Sequence, residues 1–224
     1  MSKPLKYKLI IDILMTVFLL LLMSYGLFGE EYHEWIGVGM FLLFVLHHIL
    51  NRKWISNIGK GKYTAFRILQ TILVIAILLT MLGAMVSGIL LSRYVFSFIH
   101  IHGIAIVARN IHMFCTYWSF ILMSLHLGLH WSIMLGIVRK KIDNLTPIYI
   151  WSIRVIGLVI AIYGGFAFIK RGIADYMFLQ VHFAFFDYQE SLFVFLIDYL
   201  AVMGCFVFWG YYVGKGLRRL NKNK

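Results

Sequence analysis

The sequence predicts an all-α integral membrane protein with six transmembrane helices, and three observations predict it. Of its 224 residues, 62% are hydrophobic and only 13% charged, with a mean hydropathy of +0.85. A soluble domain carries about a quarter charged residues, so this chain lacks the charge to cover a water-facing surface. Apolar stretches of roughly 20 residues, the length that spans a bilayer, recur from one end to the other. They are interrupted by two prolines and by no Ser/Gly-rich linker, which points to one membrane domain without a soluble appendage. Period-2 alternation is absent, which excludes a membrane β-barrel.

The first span is expected near Tyr7–Phe28. It carries Asp12 and has no small-x-small cleavage site before Gly29-Glu30-Glu31, so it reads as a retained helix rather than a signal peptide. Charged punctuation then sets off His33–Leu50, Thr64–Leu91, Ile104–Val138, Pro147–Ile169 and Ser191–Val213. The fourth is long for one crossing and is expected to tilt or to project beyond the bilayer.

Orientation follows from Lys and Arg near the span ends. Sixteen fall on one side, in the N-terminal segment, the loops after the second and fourth spans, and the tail. Arg93, Arg109, Lys170 and Arg171 fall on the other, and Arg154 lies within the fifth span. The expectation is a multi-pass protein of the cell membrane, in contact with lipid, with both termini cytoplasmic. The net charge of +12 is therefore a topology signal; because it sits in short loops, nucleic acid is not an expected partner.

Cys115 and Cys205 both fall inside spans and read as small apolar residues. No C-x-x-C-H occurs, so covalent c-type haem attachment is excluded. The histidines carry more information. Six of the nine lie in two spans: His33, His47 and His48 in the second, His112, His126 and His130 in the fourth. An imidazole in hydrocarbon needs a partner, and that makes each one a site candidate.

His33 to His47 is 14 residues, and His112 to His126 is also 14. Fourteen helical steps fall roughly 40° short of four full turns and rise about 21 Å. Each pair therefore shares one helix face, and the two helices run in the same direction. His33 then faces His112 near the outer surface, and His47 faces His126 near the inner one. Two planar macrocycles, each with an imidazole on either side of its iron, would stack across the membrane. The cofactors so implied are two non-covalent b-type haems with His33, His47, His112 and His126 as iron ligands.

His48 points about 100° away from His47, and His47 is favoured because it shares the face of His33. His130 lies one turn beyond His126; it either replaces His126 as inner ligand or bonds a haem propionate. Arg109, one turn before His112, and Arg154 are candidate propionate partners through their forked guanidinium groups. Arg109 otherwise snorkels to the headgroups, and Arg154 otherwise pairs with Asp12. Asp12 and Asp198 are either proton-uptake groups at a quinone site or helix–helix hydrogen-bonding groups. Small residues, among them Gly37, Gly39, Gly83, Ala84, Ser87 and Gly88, either make room for haem or serve close helix packing. The aromatic segment between Lys170 and Glu190 is expected to lie in the interface as a cap over the outer haem, or to dock a redox partner. His100, His102 and His182 read as interfacial residues.

The stretch His33-Glu34-Trp35-Ile36-Gly37 through His47-His48-Ile49-Leu50-Asn51-Arg52-Lys53-Trp54 resembles the signature of the bacterial flavinylation-associated cytochromes. Arg109-Asn110-Ile111-His112 through Leu125-His126-Leu127-Gly128-Leu129-His130-Trp131 resembles that family's second histidine helix. More distantly, the arrangement is similar to the dihaem cytochrome b subunits of formate dehydrogenase, hydrogenase and quinol-oxidising complexes. The resemblance covers residues 5 to 135. It implies electron passage between membrane quinone or a cytoplasmic donor and an extracytoplasmic flavinylated partner or other redox subunit.

The domain expected from these readings is a haem-binding four-helix core over 1–138 with two further helices over 139–224. No nucleophile, base or flavin-attachment motif is evident, so the expected role is an electron-transfer subunit rather than a self-contained enzyme. Two other classes compete. One is a metal or small-molecule transporter with a histidine-lined path, for which His47, His48, His126 and His130 would form an inner metal cluster; a bare zinc or copper ion needs three or four ligands at one depth. The other is an assembly subunit without cofactor.

Overall fold

The computed structural model describes residues 3–99, 101, 103–139, 146–183, 187 and 189–220. Every regular element among them is a helix, in the order α1 (Lys3–Met23), α2 (Tyr25–Phe28), α3 (Glu30–Leu50), α4 (Arg52–Ser56), α5 (Ala65–Leu91), α6 (Ala105–Arg139), α7 (Pro147–Lys170), α8 (Ile173–Met177) and α9 (Leu192–Leu220). Five of these are long and apolar enough to cross a membrane: α3, α5, α6, α7 and α9. Their outward faces are aliphatic and aromatic, as with Ile148, Trp151, Ile156 and Ile162 on α7, which is the surface lipid requires.

α1 matches α3 in length, yet stands outside that set. Lys6, Lys8 and Asp12 fall in every 18-residue window of it, and such charges weigh heavily against insertion. The first span also ends earlier than the apolar run implies. Ser24 is fully buried; its Oγ and its backbone N–H both donate to the Leu21 carbonyl, at 2.7 and 3.1 Å. That carbonyl is three residues back, so the chain tightens and the α-helical ladder stops. Gly29, at φ +91°, then turns the chain into α3, a conformation L side chains rarely adopt.

α6 runs for 35 residues, roughly 52 Å at helical rise, and so projects beyond a hydrocarbon core of about 30 Å. It packs along both α5 and α9, and α7 packs along α9. The last long helix, read from sequence as one of two additions to the core, is therefore seated directly on a histidine helix. Small residues set these contacts. A Cβ on Gly128 would strike the Val207 carbonyl and one on Gly210 the Leu125 carbonyl, so α6 and α9 cross backbone to backbone. Replacing Gly210 with valine is expected to destabilise the protein by about 1–3 kcal/mol, the usual cost of overpacking. A lowered thermal midpoint in detergent checks it.

α1 packs along α3, and this pair touches the remainder only lightly, through α3 on α5 and α1 on α9. Glu34 pins the outer end. Its carboxylate accepts from Ser92 Oγ (2.6 Å) and from the backbone N–H groups of Arg93, Tyr94 and Val95 (2.7, 3.1 and 2.8 Å), while Glu30 pairs with Arg93. Four donors on one carboxylate tie the start of α3 to the turn after α5.

The segment expected to lie in the interface as a cap is tucked inward over its first part. Ile173, Tyr176 and Met177 of α8 are buried; Tyr176 stacks on Tyr117 of α6 with ring centroids 4.7 Å apart, and Trp118 Nε1 donates to the Met177 carbonyl at 3.0 Å. Gly172, at φ +58°, supplies the turn that brings α8 back under α7. Phe178, Phe183 and His182 are exposed, whereas Phe185, Phe186 and Tyr188 lie outside the described residues, as do His100 and His102.

Candidate functional site

The two histidine helices, α3 and α6, are not packed along one another; what meets is their side chains. At the level expected from sequence to be the outer one, the rings of His33 and His112 stand with centroids 6.1 Å apart and planes inclined at 74°. Two metal–imidazole bonds of roughly 2 Å each, with the half-ring behind each nitrogen, span about that distance.

α5 fixes the orientation of His112. Its Nδ1 donates to the Ala84 carbonyl at 2.9 Å, with Ser87 Oγ 3.2 Å away. That contact sets the tautomer and leaves Nε2 with its lone pair, the arrangement in which an outer-shell carbonyl orients a metal-binding imidazole. Gly88 permits it, because a Cβ there would come within 3.2 Å of His112 Cε1. His33 packs edge-on to Tyr25 at 5.1 Å. Its Nδ1 is buried without a partner in hydrogen-bond geometry, although the Leu22 backbone lies near the ring.

At the inner level α1 joins the site. His47 Nδ1 donates to Asp12 Oδ1 at 2.8 Å, a half-exposed pair. Asn51 holds the same helix end: its Nδ2 donates to the His47 carbonyl at 2.9 Å, and its Oδ1 accepts from Lys8 Nζ at 2.9 Å. Across the gap, His126 and His130 lie within electrostatic reach of both Asp12 and His47. The His126 ring sits 4.8 Å from that of His130, and its Nδ1 is buried and unpartnered. His130 Nε2 lies 3.3 Å from Gln70 Nε2 on α5.

His48 is committed to its own helix. Its Nδ1 donates to the Phe44 carbonyl at 2.8 Å and its ring lies 4.3 Å from that of Phe44. Neither arginine joins the four histidines. Arg109 is exposed with its guanidinium over Phe183 at 5.4 Å, and Arg154 is exposed over Trp151 at 5.4 Å on α7, which packs along α9 rather than α3 or α6. The Asp12–Arg154 pair entertained from sequence does not form, because Asp12 is bonded to His47. Asp198 is bonded to Tyr163, Lys170 and Arg171 at the outer ends of α7 and α9.

Whether a haem suits these residues turns on the nitrogens. Leaving a buried polar group unpaired costs about 1–3 kcal/mol, and metal ligation is one way of satisfying such a group. His33 and His126, one at each level, carry the orphaned atoms; His112 carries a fixed tautomer with Nε2 left over, whereas His47 Nε2 lies 3.4 Å from Asn51 Nδ2. Between the levels, Gly37 shares the His33 face one turn along and has nothing within 4 Å of a Cβ position. The donor set fits the group. Three or more His, Cys, Asp or Glu arranged to hold a bare metal ion do not occur among the described residues.

Sequence reasoning missed the partners of the ligands. Ala84 acts through its carbonyl, which no residue identity reveals. Gln70 was available as a lone amide in a largely apolar helix, and Asp12 as a carboxylate read as a helix–helix bonding group without His47 being named as its partner. Compared with known proteins, the chain matches no family model, no curated protein and no solved structure.

Proposed function

We propose that this chain is a membrane cytochrome holding two b-type haems one above the other and conducting electrons across the bilayer. The observation that carries the reading is the meeting of the His33 and His112 rings, with His47 and His126 within electrostatic reach of each other one level further along the same two helices. Bound there, each haem supplies one-electron redox chemistry. The chain's own part is to ligate, to orient and to exclude water. The Ala84 carbonyl and the Asp12 carboxylate each hold one imidazole per level in a single tautomer. Met40 and Phe44, buried on α3 between His33 and His47, keep the space between levels dry.

The likeness of the histidine segments to the flavinylation-associated cytochromes supports electron exchange with quinone or a cytoplasmic donor on one side and a flavinylated partner on the other. In this reading the chain crosses the cell membrane six times, α1 included, with both termini cytoplasmic. The excess of Lys and Arg on one side supports that topology. In α1, Asp12 is engaged by His47 and Lys8 by Asn51, which lowers the cost of burying their charges.

The test is a dithionite-reduced minus oxidised spectrum of the detergent-purified protein, with pyridine haemochrome quantitation. Two haems b per chain are expected. A haem-free preparation, made with ample haem supply, overturns the proposal and favours a histidine-lined transport path.

A further inference from the structure

A cleft of about 660 Å³ lies where the loop after α3 meets the first turns of α5, and it borders the histidine site through Gln70, which faces His130. Its charge is one-sided: Lys53, Lys60 and Arg67 line it, and no carboxylate does. Arg67 is held in place by the loop, its Nη2 donating to the Asn57 carbonyl at 2.7 Å and its guanidinium lying 4.5 Å over the Tyr63 ring. Lys53 and Lys60 are exposed, so both ammonium groups are presented to solvent. Trp54 and Phe66 supply apolar wall beside these cations. Thr71 also lines the cleft, and its hydroxyl is buried with no hydrogen-bond partner.

An anion with apolar substituents satisfies all of these at once. Its charge meets the three cations, an oxygen can accept from Thr71, and the hydrophobic part lies against Trp54 and Phe66. The cleft sits at the very ends of membrane-length helices, which is headgroup depth, where basic pockets between helices take anionic lipids. We infer that the cleft formed by Lys53, Lys60, Arg67 and Thr71 binds a phosphate ester, the headgroup of an anionic phospholipid.

Native mass spectrometry of the full-length protein in detergent tests this, with added phosphatidylglycerol, phosphatidylcholine or inorganic phosphate as probes. Phosphatidylglycerol is expected to be retained over phosphatidylcholine. Each of Lys53→Gln and Lys60→Gln should weaken retention about fivefold, and the two together about thirtyfold. Thr71→Val tests the floor without touching charge and should also weaken it. Haem content serves as the independent check that these variants are folded. Should inorganic phosphate bind with the same dependence on Lys53 and Lys60 while the lipid does not, the anion site stands and its occupant is a soluble phosphate. Equal retention of both lipids, or binding indifferent to Lys53 and Lys60, overturns the inference.

Discussion

On the proposed two-haem reading, replacing His112 with alanine is expected to halve the haem content, from two per chain to one, and to remove one component from the redox titration. His112 is the ring whose state is most tightly set: Nδ1 is committed to Ala84, and the missing side chain of Gly88 makes room for the ring in that position. Without it His33 faces the outer level alone, and one axial ligand holds a non-covalent haem poorly. The inner level should persist, because His47, Asp12 and His126 lie about 21 Å along the helices and share no contact with the Ala84 carbonyl. Retention of the inner spectrum separates lost ligation from general misfolding. A second discriminator is His112→Gly with added imidazole. Partial return of the outer haem marks a ligand, since a merely structural histidine would not be replaced by a free ring. His48→Ala provides the contrast. With Nδ1 bonded to its own helix at Phe44, it should leave both haems in place.

The helices were legible in the sequence because a membrane demands a crude signal, an apolar run of fixed length. The boundaries near Leu50, Leu91 and Lys170 follow from it directly. What could not be read were features set by single contacts. Ser24 ends α1 by bonding three residues back, and neither its identity nor its neighbours announce it. The inward fold of α8 depends on Trp118 finding the Met177 carbonyl, a partner 59 residues away in the chain. Helical geometry alone puts the matched intervals from His33 to His47 and from His112 to His126 on one face of each helix; His33 meets His112 ring to ring, while His47 comes only within electrostatic reach of His126. The choice between neighbours did not follow from spacing with the same force. Asp12 distinguishes His47 from His48, and it lies on a different helix. Arg154, a charge placed inside a span by hydropathy, lies over Trp151 on its own helix, a neighbour that hydropathy does not single out.

Substituting Asp198 with alanine is expected to cost several kcal/mol of stability, more than any other single carboxylate among the described residues. Asp198 is completely buried and receives Tyr163 Oη at 2.5 Å, Lys170 Nζ at 2.9 Å and Arg171 Nε at 2.8 Å. Removing one partner of a buried ion pair costs about 3–5 kcal/mol, because the other charge is left without compensation. Two features hold the loss toward the lower end. Arg171 keeps a bidentate pair with Glu190, both bonds at 2.6 Å, and Lys170 is 44% exposed in its side chain and can turn to water. The coupling should therefore be unequal. A double-mutant cycle of Asp198→Asn with Lys170→Met is expected to show about 1 kcal/mol or less, as exposed pairs do. The cycle of Asp198→Asn with Arg171→Met should give clearly more, since Arg171 is only 15% exposed. Thermal unfolding in detergent measures all of these. Because α9 crosses α6 at Gly128 and Gly210, a loosened α9 reaches the helix that bears His112 and His126. The Asp198→Ala protein should hold its haems when cold and release them at a lower temperature than the parent. Haem loss in the cold would instead place Asp198 in the cofactor site itself, which its bonds to Tyr163, Lys170 and Arg171, and to none of the histidines, argue against.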